Sequence, residues 1–163
     1  MPFKILFVCM ANVCRSPMAR AVLQDITRRR GGPPVEVDAA GVRVASSRLR
    51  PDPRAQAALL RRGYAVPSGR SRRLTRDDFE RCDLLLAMDR LVLDDMLRQC
   101  PQQHRAKVRL FLDFAEGQER REVPDPYFGD AAGFDLVLDL CEAGALGLQQ
   151  ALWDGTAFGR RAW

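Results

Sequence analysis

Residues 3–20 read FKILFVCMANVCRSPMAR. Phe3–Val8 is a short apolar run of strand-forming residues, and across residues 17–29 Met18, Ala21, Val22, Leu23 and Ile26 then recur at helical spacing. The stretch therefore predicts a strand, a tight loop and a helix, with Ser16 as helix cap and Pro17 at the first helical position. The rest of the chain repeats this alternation. GGPP at 31–34 stops the first helix, and VEVDAA at 35–40 alternates as a second strand. Pro51–Arg62 is a helix closed by Gly63, and Thr75–Asp78 caps a short helical turn ahead of CDLLLAM at 82–88, a buried third strand. A helix over 90–99 ends before Pro101, VRLFL at 108–112 is a fourth strand, and 133–152 is a long closing helix. Strands alternating with helices predict one α/β domain over 1–163, a four-stranded parallel sheet with helices on both faces. The packed part spans 3–152, followed by a short tail at 153–163. Ligands of such sheets sit beyond the carboxyl ends of the strands, which directs attention to the loop after the first strand.

A chain of 163 residues supports one hydrophobic core, and 47% hydrophobic with 29% charged residues is the composition of a folded globular protein. The apolar start is too short to span a bilayer and carries no signal-peptide pattern, so no membrane association and a cytoplasmic location are expected. Five cysteines at irregular spacing do not form a disulfide framework. The net charge of +5 is almost wholly arginine, clustered at 28–30, at Arg48 and Arg50, and at 70–73. These clusters read as solvated surface. No aromatic residues interleave them, so a nucleic-acid partner is not expected.

Two cysteines in the opening stretch lie six positions before an arginine, Cys9 before Arg15 and Cys14 before Arg20. Chance alone supplies about 0.7 such pairs in this composition, so spacing does not decide between them. Context does. Arg20 falls inside the helix, and a helical turn cannot curl around an anion. Residues Cys9, Met10, Ala11, Asn12, Val13, Cys14 and Arg15 instead lie wholly between strand and helix, where successive backbone N–H groups and the helix N-terminus can surround a phosphate. That position also favours the thiolate form of Cys9. Arg15 can offer phosphate two parallel hydrogen bonds, which a lysine cannot match.

A thiolate that attacks phosphorus needs a partner to protonate the leaving oxygen. The single histidine, His104, lies in the polar segment QHRAK, which leaves a carboxylic acid. VPDPYFGD at 123–130 holds Asp125 between two prolines in a loop after the fourth strand, extended by Pro126. In isolation Asp-Pro is an ordinary turn. Beside a phosphate loop it is the candidate general acid.

Taken together, VCMANVCRSPMA at 8–19, DPRA at 52–55, DLLLAMD at 83–89 and DPYFG at 125–129, in this order ahead of a final helix, resemble the low-molecular-weight protein tyrosine phosphatases. The resemblance covers most of residues 3–152. It implies a two-step reaction without metal or other cofactor, on a phosphotyrosine-containing protein or a small aryl phosphate. Cys9 would take the phosphoryl group, Arg15 would hold it, and Asp125 would act first as acid and then as base. Asn12 and Ser16 would order the loop, and Tyr127 would form one wall of the cleft. The resemblance also implies redox sensitivity, with Cys14 capturing an oxidised Cys9 as a disulfide. The chain departs from the family pattern at Ala11, where glycine is common. Ala39 and Gly69 replace a serine and a histidine that brace the loop through Asn12, and Ala45 replaces a bulky aromatic on the opposite cleft wall. Arg48 and Arg50 beside it would attract acidic residues of a phosphoprotein. Two other readings compete: a thiol-dependent arsenate reductase on the same fold, which needs a resolving pair of cysteines near one another where this chain offers Cys82 and Cys100, and a non-catalytic phosphate-binding regulatory module.

Overall fold

A computed structural model describes residues 1–46 and 48–158. Four strands, β1 (Phe3–Cys9), β2 (Val35–Gly41), β3 (Leu84–Ala87) and β4 (Val108–Leu110), form one sheet in the order β2-β1-β3-β4, with every neighbouring pair parallel. Five helices connect and cover them: α1 (Arg15–Arg30), α2 (Pro53–Arg61), α3 (Arg76–Arg81), α4 (Arg90–Gln99) and α5 (Ala131–Trp153). None of the described helices is long and apolar enough to cross a membrane.

The unbroken apolar runs Ile5–Cys9 of β1 and Leu84–Ala87 of β3 follow from burial on both faces. Ile5, Phe7 and Cys9 with Leu84 and Leu86 point to the layer formed by α1, α2 and α5, while Leu6, Val8, Leu85 and Ala87 point to the layer of α3 and α4. Chain order makes β1 central, and the sheet order reverses beside it, so the loop leaving β1 opens at the carboxyl edge where strands diverge.

Local differences from the sequence reading have physical causes. Helix α1 begins at Arg15 with Cys14 as its cap residue, and Ser16 does not cap it because its hydroxyl is taken up by Cys9, Asn12 and the Ala40 carbonyl. Pro17 still lies in the first turn, where its missing N–H costs no hydrogen bond. The fourth strand stops at Leu110, and Phe111–Phe114 form a 3-10 turn. Leu110 packs in the α4 layer while Phe111, Leu112 and Phe114 all pack in the α5 layer, which strand alternation cannot achieve. The third strand begins only at Leu84, because Cys82 still donates its N–H to the Asp78 carbonyl at the end of α3. Of the expected tail, Trp153 ends α5, Ala157 is fully buried and Phe158 stacks on Phe3 with ring centroids 4.1 Å apart; residues 159–163 lie outside the described residues.

Candidate active site

Cys9 is the last residue of β1, and residues 10–14 carry the chain from there into α1. The backbone of this loop is fastened from behind. Cys9 and Met10 carbonyls accept from the N–H groups of Val42 (3.1 Å) and Arg43 (2.8 Å), and the Val13 carbonyl accepts from that of Asp52 (2.8 Å). A loop whose carbonyls are held on its outer side presents its N–H groups to the concave side, the geometry of an anion-binding nest. Asn12 supplies the bend with φ of 59°, a left-handed conformation that asparagine tolerates better than most residues.

Cys9 is 3% exposed, and its Sγ accepts the Asn12 N–H at 3.3 Å and lies 3.0 Å from Ser16 Oγ. Asn12 Nδ2 donates to that same Oγ at 2.8 Å. With one lone pair so occupied, the Ser16 proton is left for Cys9 Sγ or for the Ala40 carbonyl at 3.3 Å. Arg15 is 2% exposed, and its Nη1 donates to Asp89 Oδ2 at 2.6 Å and to the Val123 carbonyl at 3.0 Å. Nη2 lies 3.7 Å from Asp125 Oδ2. Burial works against the charge of Arg15, but the negative charges of Cys9, Asp89 and Asp125 outweigh it and raise its pKa further. Because Nη1 is committed, the Nε–Nη2 edge is the one free to grip an anion.

Asp125 is half exposed, and Tyr127 N–H donates to its Oδ1 at 3.1 Å, the local turn that aims the carboxylate. Tyr127 stands beside it, with Arg54 5.4 Å from its ring and Phe128 edge-on at 5.0 Å. Cys9, Arg15, Asp125 and Tyr127 line one cleft of about 650 Å³, together with Met10, Ala11, Val13 and Cys14. Its opposite wall sets Val42, Val44, Ala45 and Leu49 among the polar Arg43, Ser71 and Arg73, so Ala45 does line the cleft and leaves that side without a ring.

Cys14 is a different kind of thiol. Burial first, and then the negative charges of Asp52 and Cys9, push its pKa up to about 12, so it is a neutral thiol at physiological pH. Cys82 sits where the chain enters β3, and Cys100 follows α4, which returns toward that same amino end of the parallel sheet. Both are therefore at the edge opposite Cys9.

Positions 39 and 69, where a serine and a histidine would brace Asn12, give it no hydrogen bond among the described residues, and its brace comes from elsewhere. Ala39 and Gly69 only border a second cavity of about 260 Å³ behind the loop, and Asn12 Oδ1 instead accepts the backbone N–H of Arg72 at 3.0 Å. Arg72, read from sequence as part of a solvated cluster, is half buried and tied to Asp38 (2.9 Å) and Asp78 (3.0 Å). Burial alone would raise the Asp78 pKa, but hydrogen bonds from Arg72 and Thr75 outweigh it and hold the carboxyl below the usual carboxylate range. Asp89, which fixes Arg15 and caps α4 by accepting from Val92 N–H at 2.8 Å, was visible only as a residue of the DLLLAMD motif.

Against known proteins, residues 4–156 match the family model of the low molecular weight phosphotyrosine protein phosphatases. A putative low molecular weight protein-tyrosine-phosphatase of Synechocystis is 41% identical over 85% of this chain and 89% of its own length. The low molecular weight phosphotyrosine protein phosphatase of Schizosaccharomyces pombe is 37% identical over 85% of this chain and 90% of its own. Among solved structures, a low molecular weight phosphotyrosine phosphatase of Vibrio cholerae superposes with a TM-score of 0.89 at 35% identity, over 94% of this chain and 99% of that one. The arginine phosphatase YwlE superposes with a TM-score of 0.84 at 30% identity, over 96% and 99%.

Proposed function

The chain belongs to the low molecular weight phosphotyrosine protein phosphatase family, and from that premise we propose that Cys9 is its nucleophile, Arg15 its phosphate clamp and Asp125 its general acid and base. The observation that carries the assignment is their convergence: a buried thiol at the mouth of a nest, a buried arginine with one free edge, and a half-exposed carboxylate line a single cleft. In the first step Cys9 Sγ bonds to phosphorus as the bond from phosphorus to the aryl oxygen breaks, and Asp125 gives that oxygen its proton. In the second, Asp125 takes a proton from water as the water oxygen bonds to phosphorus and the S–P bond breaks. One water is consumed, and a phenol and inorganic phosphate leave. The Nε–Nη2 edge of Arg15 and the N–H groups of residues 10–15 hold the phosphoryl oxygens in both steps. Ser16 donates to the sulfur when it carries charge, and Asn12 keeps that proton pointed there.

Substrate class follows from the walls. Tyr127 and the aliphatic residues opposite it suit a flat aryl group, while Arg43 and Arg73 on the same lining repel a substrate whose phosphate is carried by a guanidinium. Cys82 and Cys100, the pair that a cysteine relay of the arsenate reductase kind would call on, lie at the edge of the sheet opposite Cys9. The decisive experiment is hydrolysis of p-nitrophenyl and phenyl phosphate by Cys9→Ser, Cys14→Ser and Asp125→Ala. Cys9→Ser abolishes turnover and Cys14→Ser retains much of it, while Asp125→Ala slows phenyl phosphate, the poorer leaving group, far more than p-nitrophenyl phosphate. Equal loss in the two cysteine variants with intact folding, or equal slowing of the two esters, refutes the assignment.

A further inference from the structure

We propose that this site prefers phosphotyrosine flanked by aspartate or glutamate, read by Arg43 and Arg73 on one wall of the cleft; the inference rests on the phosphatase reading above. Both arginines line the same cleft as Cys9, Arg15 and Asp125, and both are exposed. Their backbones are fixed to the catalytic frame. Arg43 N–H is bonded to the Met10 carbonyl at 2.8 Å inside the phosphate loop, and Arg73 pairs with Gly41, the last residue of β2. The anchored backbone leaves only the side chains to be ordered when a peptide binds, and their free head groups are the part that reaches it.

Their charges are available. Among the described residues Arg73 has no side-chain hydrogen bond or ion pair, and Arg43 has only a 3.7 Å contact with Asp95, which is also shared with Arg98. Three further arginines stand on the segments that form this wall. Arg48 and Arg70 donate only to backbone carbonyls, those of Ser71 and Arg48, and Arg50 has no described partner. The opposite wall offers nothing comparable, since Arg54 beside Tyr127 is already held by both oxygens of Asp52 at 3.1 and 3.0 Å. The field is thus one-sided: a bound peptide meets Arg73, unpaired among the described residues, and the weakly paired Arg43 on this side, while Arg54 on the other is held by Asp52. Arg48, which borders the cavity behind the loop, and Arg50, which does not line the cleft, add to this field from outside.

The experiment measures kcat/KM by phosphate release for phosphotyrosine peptides of equal length whose flanking residues are acidic on the amino side, acidic on the carboxyl side, neutral, or lysine. Each value is divided by that of the same protein on p-nitrophenyl phosphate. Exposed ion pairs of ordinary strength predict about a three- to tenfold preference for one of the acidic peptides over the neutral one at low salt. In about 1 M salt, where the screening length is about 3 Å, the ratio falls toward one. The double variant Arg43→Lys with Arg73→Lys keeps most of the preference, and Arg43→Glu with Arg73→Glu inverts it in favour of lysine-flanked peptides. A wild-type protein that hydrolyses p-nitrophenyl phosphate yet treats acidic and neutral peptides alike overturns the proposal, as does a preference that survives the glutamate variants. Absence of p-nitrophenyl phosphate hydrolysis would instead refute the phosphatase reading beneath it.

Discussion

Gly41→Ala should separate damage to the site from damage to the fold. Gly41 has no left-handed φ, so its backbone suits alanine, and the obstacle is space. A Cβ there would lie 2.7 Å from the Met10 carbonyl oxygen, 2.8 Å from Val44 Cγ2 and 2.9 Å from the Asn12 nitrogen. Ordinary contacts are about 3.5–4.0 Å, so each neighbour must retreat by about 0.6–1.3 Å. Val44 can do so by rotating its side chain. The other two are backbone atoms of the phosphate loop, one bonded to Arg43 N–H and the other donating to Cys9 Sγ. Overpacking of this kind costs about 1–3 kcal/mol of stability, and a displacement near 1 Å in a group that positions the reacting atoms costs about 100-fold in rate. Gly144→Ala is the control. Its Cβ would come within 2.6 Å of the buried Phe111 ring, an equal insult, but one that meets no atom of the phosphate loop and is partly offset by about 1 kcal/mol of helix propensity. Urea unfolding gives both stabilities, and kcat on p-nitrophenyl phosphate under folding conditions gives the catalytic cost. Both variants lose stability while only Gly41→Ala loses about two orders of magnitude in kcat. Wild-type kcat in Gly41→Ala, or an equal loss in Gly144→Ala, would show that the loop does not depend on the space beside Gly41.

Asn12→Ala and Asn12→Gly both remove the bonds to Ser16 and Arg72, but alanine adds the cost of a left-handed φ, so urea unfolding should find the glycine variant more stable by about 1–2 kcal/mol. The depressed carboxyl of Asp78 contributes stability above its unfolded value of about 3.9 and loses it as pH falls through the lower folded value; Asp78→Asn should therefore show a shallower acid limb in denaturation midpoint against pH. For Cys14 the sign is opposite. A folded pKa of about 12 means stability present below the unfolded value of about 8.5 and declining as pH rises between the two, a decline that Cys14→Ala should flatten. After peroxide, dithiothreitol should restore more activity to wild type than to Cys14→Ser, because capture of an oxidised Cys9 by Cys14 blocks further oxidation; equal recovery removes that role.

The elements legible in sequence were those whose signal is local. Leu84–Ala87 and Ile5–Cys9 announced a sheet covered on both sides because every position in them is apolar regardless of face. Cys9 was separable from Cys14 because a helix start is written in nearby residues. What escaped depends on partners distant in the chain. Ser16 looked like a cap because nothing nearby says that Asn12 and Cys9 will claim its hydroxyl. Arg72 sat in a run of arginines, and only the meeting with Asp38, Asp78 and Asn12, the last 60 residues away, distinguishes it from Arg73, one position later and exposed. Asp89 reaches Arg15 across 74 residues. The rim had the same weakness: Arg48 and Arg50 were read beside the cleft, but the pairing of Gly41 with Arg73 brings in an arginine from another segment.

Helix α5 packs along α1, and its Phe134, Val137, Leu138 and Cys141 complete the core layer that lies under Cys9 and Cys14. During synthesis the chain emerges from its amino end, so Cys9 appears about 120 residues before α5 starts. At about 5–20 residues per second this leaves about 6–24 s in which the thiol exists without the layer that buries it. Nascent chains thus carry Cys9 as an ordinary thiol, and the loop that would activate it gains its full backing layer only when the final helix docks.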